Sequence, residues 1–145
     1  MSRDAQYIID LCDHILASPA MREHRFDFLR GDPGKKAKNG RTLPVDAYYP
    51  SLNLVIEYCE KQHSEGVNHF DKPERITVSG VHRGLQRALY DQRRREILPR
   101  HGIELVELHF SEFNCKGSKR LRRIISEDEA VIRTRLLRWT KPVEE

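Results

Sequence analysis

The chain predicts an α/β domain: a mixed β-sheet of about four strands with helices on its faces. Three observations lead there. Two stretches carry apolar residues at helical spacing, near the start and near the end. Several short runs alternate or are rich in Val, Ile and Tyr, as strands are. The elements follow one another as helix, strand, hairpin, helix, strand, helix, and such alternation is most simply satisfied by a sheet covered by helices.

Size and composition set the frame. At 145 residues the chain is most simply one domain, spanning 1–145, large enough to bury a core without covalent staples. Charged residues make up 33% and hydrophobic ones 38%, which suits a globular chain in water. No apolar run approaches the ~20 residues of a membrane span, and the polar N-terminus lacks a signal-peptide core. A cytoplasmic location with no membrane partner is the expectation. Cys12, Cys59 and Cys115 are odd in number and far apart, against both a disulfide frame and a cysteine zinc site. The seven histidines, His63, His69 and His82 among them, match no H-x₃₋₅-H ligand pair, which favours surface or loop roles.

Residues 3–17 place Tyr7, Ile8, Leu11, Cys12, Ile15 and Leu16 on one helical stripe, with Ser2 as N-cap and Ser18-Pro19 as the stop. A short helical turn from Met21 to Arg25 is expected next, then a strand over Phe26–Leu29. Arg30 to Thr42 has Gly, Pro, Asn and several cations without an aliphatic pattern. It reads as a basic loop, either facing a phosphate backbone or simply solvated.

The hairpin follows, with strands near 44–49 and 53–60 and turn chemistry at Pro50-Ser51-Leu52-Asn53. If those four residues form the loop, Tyr49 faces Leu54 and, further out, Asp46 faces Glu57. Facing residues of an antiparallel pair lie on one side of the sheet, with Cβ atoms roughly 4.5–5.5 Å apart, and like charges there are destabilising. A divalent cation between the carboxylates would give the arrangement a reason. A slip of one residue would instead throw them onto opposite faces.

Residues 64–82 read as irregular, with an extended piece at 75–78. A helix starts at Arg83, its N-terminal half expected buried and Gln92 to Arg95 partly exposed. Pro99 and Gly102 close it. Ile103 to Phe110 alternates as a strand, and Asn114 to Lys119 is a loop. From Leu121 to Trp139 the spacing is helical. Ser126 and Glu129 have capping-box spacing, so a short helix, a kink and a second helix over 126–139 are expected. Leu136, Leu137 and Trp139 are either core or an interface.

Net charge is +4, and the cations cluster at Lys35, Lys36 and Lys38, at Arg93, Arg94 and Arg95, and from Lys116 to Arg123. Clustered cations suit a phosphate-binding surface; solvated helix faces would look the same.

In order and spacing, LPVDAYYPSLNLVIEY, then Gln62-His63, then YDQRRREILPRHGIELVELHFSEF resembles the PD-(D/E)XK nuclease superfamily. The likeness is to the branch near the very-short-patch-repair endonucleases and covers roughly residues 40–113. Asp46, Ile56-Glu57, Gln62-His63, Asp91, Arg94 and Gly102-Ile103 occupy the motif positions. The resemblance implies a restriction-endonuclease-like fold and a metal-dependent DNA endonuclease with a restriction, repair or mobile-element role. It implies Mg²⁺ or Mn²⁺ on Asp46 and Glu57, with Glu23 from the first helix or its extension as a further ligand, and Asp46 and Glu57 as catalytic residues. DNA is the implied partner, held by Lys35, Lys36, Lys38, Arg93, Arg94 and Arg95, and double-strand cutting would suit a homodimer.

One departure stands out. The superfamily's lysine falls two residues after the glutamate, where this chain has Cys59. By strand parity Lys61 shares the face of Glu57, and Gln62 is the alternative, needing a bulge or strand end to turn inward. A nuclease-fold DNA-binding protein or subunit without cleavage is therefore the competing expectation. Asp91 and Arg94 are otherwise read as a surface ion pair or a bond docking the helix on the sheet.

Overall fold

The structure, a computed structural model, describes residues 1–34, 39–60, 83–117 and 119–140. It is α/β, with a four-stranded mixed sheet flanked by helices. The elements are α1 (Arg3–Leu16), β1 (Met21–Arg30), β2 (Thr42–Tyr49), β3 (Leu54–Cys59), α2 (Arg83–Arg100), β4 (Glu104–His109), a small hairpin of β5 (Cys115–Lys116) and β6 (Arg120–Leu121), then α3 (Ile125–Arg135) and α4 (Leu137–Thr140). The sheet order is β1-β2-β3-β4. Among the described residues no helix is long and apolar enough to cross a membrane.

The chain forms two compact units. One comprises Met1–His24, Val45–Glu60 and Leu105–Glu145; the other comprises Arg25–Pro44 and Lys61–Glu104. In the first, α1 starts where Ser2 accepts the Ala5 N–H at 3.0 Å and ends at Ala17 in the left-handed region. Its stripe of Ile8, Ile9, Cys12 and Ile15 packs with Ala47, Tyr49, Leu54, Ile56, Tyr58, Val106 and Leu108 of the strands, and with Ile132 and Leu136. The buried Tyr49 hydroxyl donates to Asp13 Oδ1 at 2.6 Å, and that carboxylate also takes the Ala20 N–H and pairs with Arg22. Tyr7 donates to the buried Asp128 at 2.5 Å, which ties α1 to α3.

In the second unit, Phe26, Leu29, Leu43, Leu98 and Ile103 are buried. The Gly31 N–H donates to the Arg41 carbonyl at 2.9 Å. A Cβ at Gly31 would lie 2.8 Å from the Tyr90 ring, whose hydroxyl accepts the Asp32 N–H at 2.9 Å. α2 closes through the Ile103 N–H on the Leu98 carbonyl at 3.1 Å, with Gly102 at φ +73, the left-handed cap that glycine adopts without steric cost.

Several expectations are corrected. Met21 to Arg25 is strand, not helical turn: β1 runs the full ten residues, with its first three exposed. As an edge strand of the described sheet it tolerates polar residues on both faces. Cys115 to Leu121 is a two-stranded hairpin rather than a loop and a short helix. α3 is capped at Ile124 with no side-chain bond, so Ser126 and Glu129 form no capping box, and the helical break falls at Leu136. Leu136 is core, Trp139 packs against the core, and Leu137 is exposed. In α2 the buried residues are Gly84 and Leu98, while Leu89 is 42% exposed, so the first half is not the buried half. The 64–82 stretch lies outside the described residues.

Candidate active site and metal ligands

The hairpin sets the site. The predicted four-residue connection forms a 3₁₀ turn over Pro50–Leu52 followed by Asn53 in the left-handed region. β2 and β3 then pair antiparallel with Tyr49 opposite Leu54, Tyr48 opposite Val55 and Ala47 opposite Ile56. That is the register expected from the sequence, and its next step brings Asp46 and Glu57 together. At that step side chains make the contacts between the strands. The Asp46 N–H donates to Glu57 Oε2 at 2.7 Å, and the Tyr58 N–H donates to Asp46 Oδ2 at 2.8 Å. Each carboxylate is thus oriented by a backbone donor, which partly compensates for gathering two negative groups, since bonds to ionised acceptors are the stronger kind.

Alternation places more donors on the same face. Ala47, Ile56, Tyr58, Val106 and Leu108 belong to the core packed with α1, so Asp46, Glu57, Cys59, Glu107 and His109 point to the other side. All five are half-buried. Cys59 at the end of β3 donates its thiol to Glu107 Oε2 at 3.6 Å. The ligand atoms of Cys59, Glu107 and His109 all lie within 4.8 Å of one another.

The chain end of this strand is held as well. The Glu112 carboxylate accepts the His109 N–H at 2.8 Å and binds Arg135, whose guanidinium also donates to the Glu107 carbonyl at 2.8 Å. Glu107 and His109 were not among the residues singled out from sequence. The signal was present in the alternation Glu-Leu-His over 107–109, but that pattern served only to identify the strand.

Other predicted residues fall elsewhere. Glu23 sits on β1 at φ +49, not on a helix. Its carboxylate is 62% exposed and pairs with the Met1 ammonium at 3.0 Å, so its ligand role is not supported by where it points. Next to Cys59, the Glu60 carboxylate accepts the Ser2 hydroxyl. Arg93 and Arg94, expected on phosphate, are engaged within the protein. Arg93 pairs with Asp32 at 2.9 Å, donates to the Arg30 carbonyl and lies over Tyr90. Arg94 donates to the Pro44 carbonyl at 3.0 and 3.2 Å and pairs with Asp91, the docking role that was the structural alternative. Arg95 reaches Gln92 along its own helix. Lys35, Lys36, Lys38, Lys61, Gln62, His63, His69 and His82 lie outside the described residues.

Ionisation on the core side is structural. Burial, then the bond to Asp13, pushes the Tyr49 hydroxyl well above its ordinary value. Burial does the same to Tyr58 and, with the bond to Asp128, to Tyr7. Burial pushes the Cys12 thiol up to about 12, so it stays protonated and unreactive near neutrality. Comparison of the chain with protein-family models, with curated proteins and with solved structures finds no match.

Proposed function

We propose that the protein is a metal-dependent endonuclease that hydrolyses phosphodiester bonds of DNA, built on a restriction-endonuclease-like sheet. The observation that carries this reading is the crossed pair of hydrogen bonds that gathers the Asp46 and Glu57 carboxylates at one step of the hairpin. Two fixed, half-buried carboxylates are a hard-oxygen donor set that fits Mg²⁺ or Mn²⁺, ions that keep several waters in place. A divalent cation held by them would supply Lewis-acid charge at the scissile phosphate and favour hydroxide at neutral pH.

The chain's own residues do the rest. The backbone donors of Asp46 and Tyr58 fix the carboxylates before substrate arrives, so that little reorganisation is required. Lys61 or Gln62 is assigned the orientation of the attacking water, the duty of the superfamily's lysine. Lys35, Lys36, Lys38 and Arg95 are assigned to the DNA backbone, since Arg93 and Arg94 hold α2 in its own unit. A homodimer would be needed to cut both strands at once.

A second reading is favoured by Cys59. A thiol engaged with Glu107 cannot supply a lysine's charge, and a DNA-binding protein of the same fold without cleavage follows if nothing replaces it. The deciding experiment incubates the protein with plasmid and single-stranded DNA in Mg²⁺, Mn²⁺ or EDTA, beside Asp46→Ala and Glu57→Ala. Metal-dependent cutting lost in both variants is expected. DNA binding without cutting in any metal establishes the second reading, and absence of both removes DNA from the account.

A further inference from the structure

The same face of the sheet carries a second donor set of different chemistry. Asp46 and Glu57 offer oxygen only; Cys59, Glu107 and His109 offer sulfur, oxygen and nitrogen. We propose that Cys59, Glu107 and His109 form a site for a borderline-soft divalent ion of the Zn²⁺ class, bound through one thiolate, one carboxylate oxygen and one imidazole nitrogen. The proposal goes beyond the nuclease reading and does not depend on it.

Geometry is the first support. Around a tetrahedral centre with Zn–S near 2.3 Å and Zn–O or Zn–N near 2.0–2.2 Å, neighbouring ligand atoms stand about 3.5 Å apart. The Cys59 Sγ to Glu107 Oε2 distance is already 3.6 Å. All three ligand atoms fall within 4.8 Å, so closing around an ion requires side-chain rotation of roughly an ångström rather than backbone movement.

The scaffold is the second support. Cys59 ends β3, and Glu107 and His109 are two apart on β4, the neighbouring strand. Period two therefore places all three on one face, on regular strands rather than on loops, where a constellation is held best. The backbone at Glu107 and His109 is pinned by Arg135 and Glu112, so the site end of β4 is held in place from outside the ligand set.

Donor chemistry is the third. Thiolate with imidazole selects Zn²⁺ and its neighbours over Mg²⁺ or Ca²⁺, which prefer all-oxygen sites. Three protein ligands leave one of four tetrahedral positions for water, the pattern of sites that act on a substrate rather than of closed structural ones. The half-burial of all three ligands leaves solvent a path to that position.

The test uses the full chain, stripped with EDTA and dialysed, and titrated with Co²⁺ and then Zn²⁺. A near-ultraviolet thiolate-to-cobalt band is expected, saturating at one ion per chain and erased by one equivalent of Zn²⁺. Cys59→Ser should abolish the band, and Glu107→Gln and His109→Gln should each weaken Zn²⁺ binding by about 10- to 100-fold or more. Cys115→Ser and Asp46→Asn should leave the band in place, which separates this site from the carboxylate pair and from the nuclease reading.

X-ray absorption on the wild-type Zn²⁺ complex guards against variants that fail to fold. One sulfur near 2.3 Å with lighter atoms near 2.0 Å is expected. A cobalt complex without the thiolate band, a band that survives Cys59→Ser, or a zinc shell without sulfur overturns the proposal.

Discussion

Replacing Asp46 by Asn tests the idea that the hairpin holds two like charges for a cation. Facing residues have Cβ atoms roughly 4.5–5.5 Å apart; for two charges at a separation of about 5 Å, Coulomb repulsion is about 1 kcal/mol at the dielectric of water and about 3 kcal/mol at an effective dielectric of 20. Asn keeps an oxygen for the Tyr58 N–H, which now donates to Asp46 at 2.8 Å. Losing the charge on that acceptor costs about 1 kcal/mol. The variant is therefore expected to gain about 1 kcal/mol in EDTA, a rise of roughly 3 °C in Tm for a chain of this size. Mg²⁺ at ten times its Kd should raise the wild-type Tm by about 4 °C, from about 1.4 kcal/mol of binding linkage, and should leave Asp46→Asn unmoved. Glu57→Gln relieves the same repulsion, so the double variant should gain less than the sum of the two. Thermal melts followed by circular dichroism read all four proteins. If Asp46→Asn melts several degrees below wild type in EDTA and keeps the Mg²⁺ shift, the cation explanation of the hairpin fails.

The remaining predictions concern buried and closely packed groups in each unit. Tyr49 is fully buried with its ionisation pushed above the ordinary value near 10. Its stabilising effect is complete below pH 10 and falls above it by about 1.4 kcal/mol per pH unit, because unfolding then releases its proton. Urea midpoints from about pH 9 to 11.5 should fall less steeply in Tyr49→Phe; equal slopes would refute the assignment. In the native protein a thiol reagent should leave Cys12 unmodified, since its thiol is raised to about 12 and buried. Labelling of Cys12 without unfolding, seen by peptide mass spectrometry, would contradict that. Gly31→Ala places a methyl 2.8 Å from the Tyr90 ring and should lower stability by about 1–3 kcal/mol; a melt within half a degree of wild type would show that the ring can yield.

What the sequence discloses is what neighbours along the chain can fix. α1 is legible because one stripe and one N-cap suffice, and the Asp46–Glu57 step is legible because a short turn sets the register of both strands. β1 is misread where it is an edge: Met21-Arg-Glu-His-Arg has no inner face in sequence, and half of its alternation is solvent. The Ser126–Glu129 spacing fails differently. A capping box is a local pattern, but the helix begins at Ile125, with Asp128 drawn into the core by Tyr7 from α1, and a long-range bond outweighs a local signal.

The candidate site divides along the same line. Parity alone shows that Cys59 shares a face with Glu57, since both lie on β3. It cannot show what Cys59 meets, because its partners come from β4, beyond α2 in the chain and joined to β3 only through the sheet order. In sequence the thiol is therefore defined by what it replaces, a lysine, and counts as a loss. Beside Glu107 and His109 it is one donor of three. The two views predict different behaviour of one variant: Cys59→Lys should improve phosphodiester cleavage if the thiol is a lapsed lysine. If the thiol is a ligand, the same change should eliminate the Zn²⁺-class site and leave cleavage no faster. Measuring Co²⁺ binding and plasmid nicking on that single protein separates them, and a variant that cuts no faster while keeping its cobalt–thiolate band would contradict both.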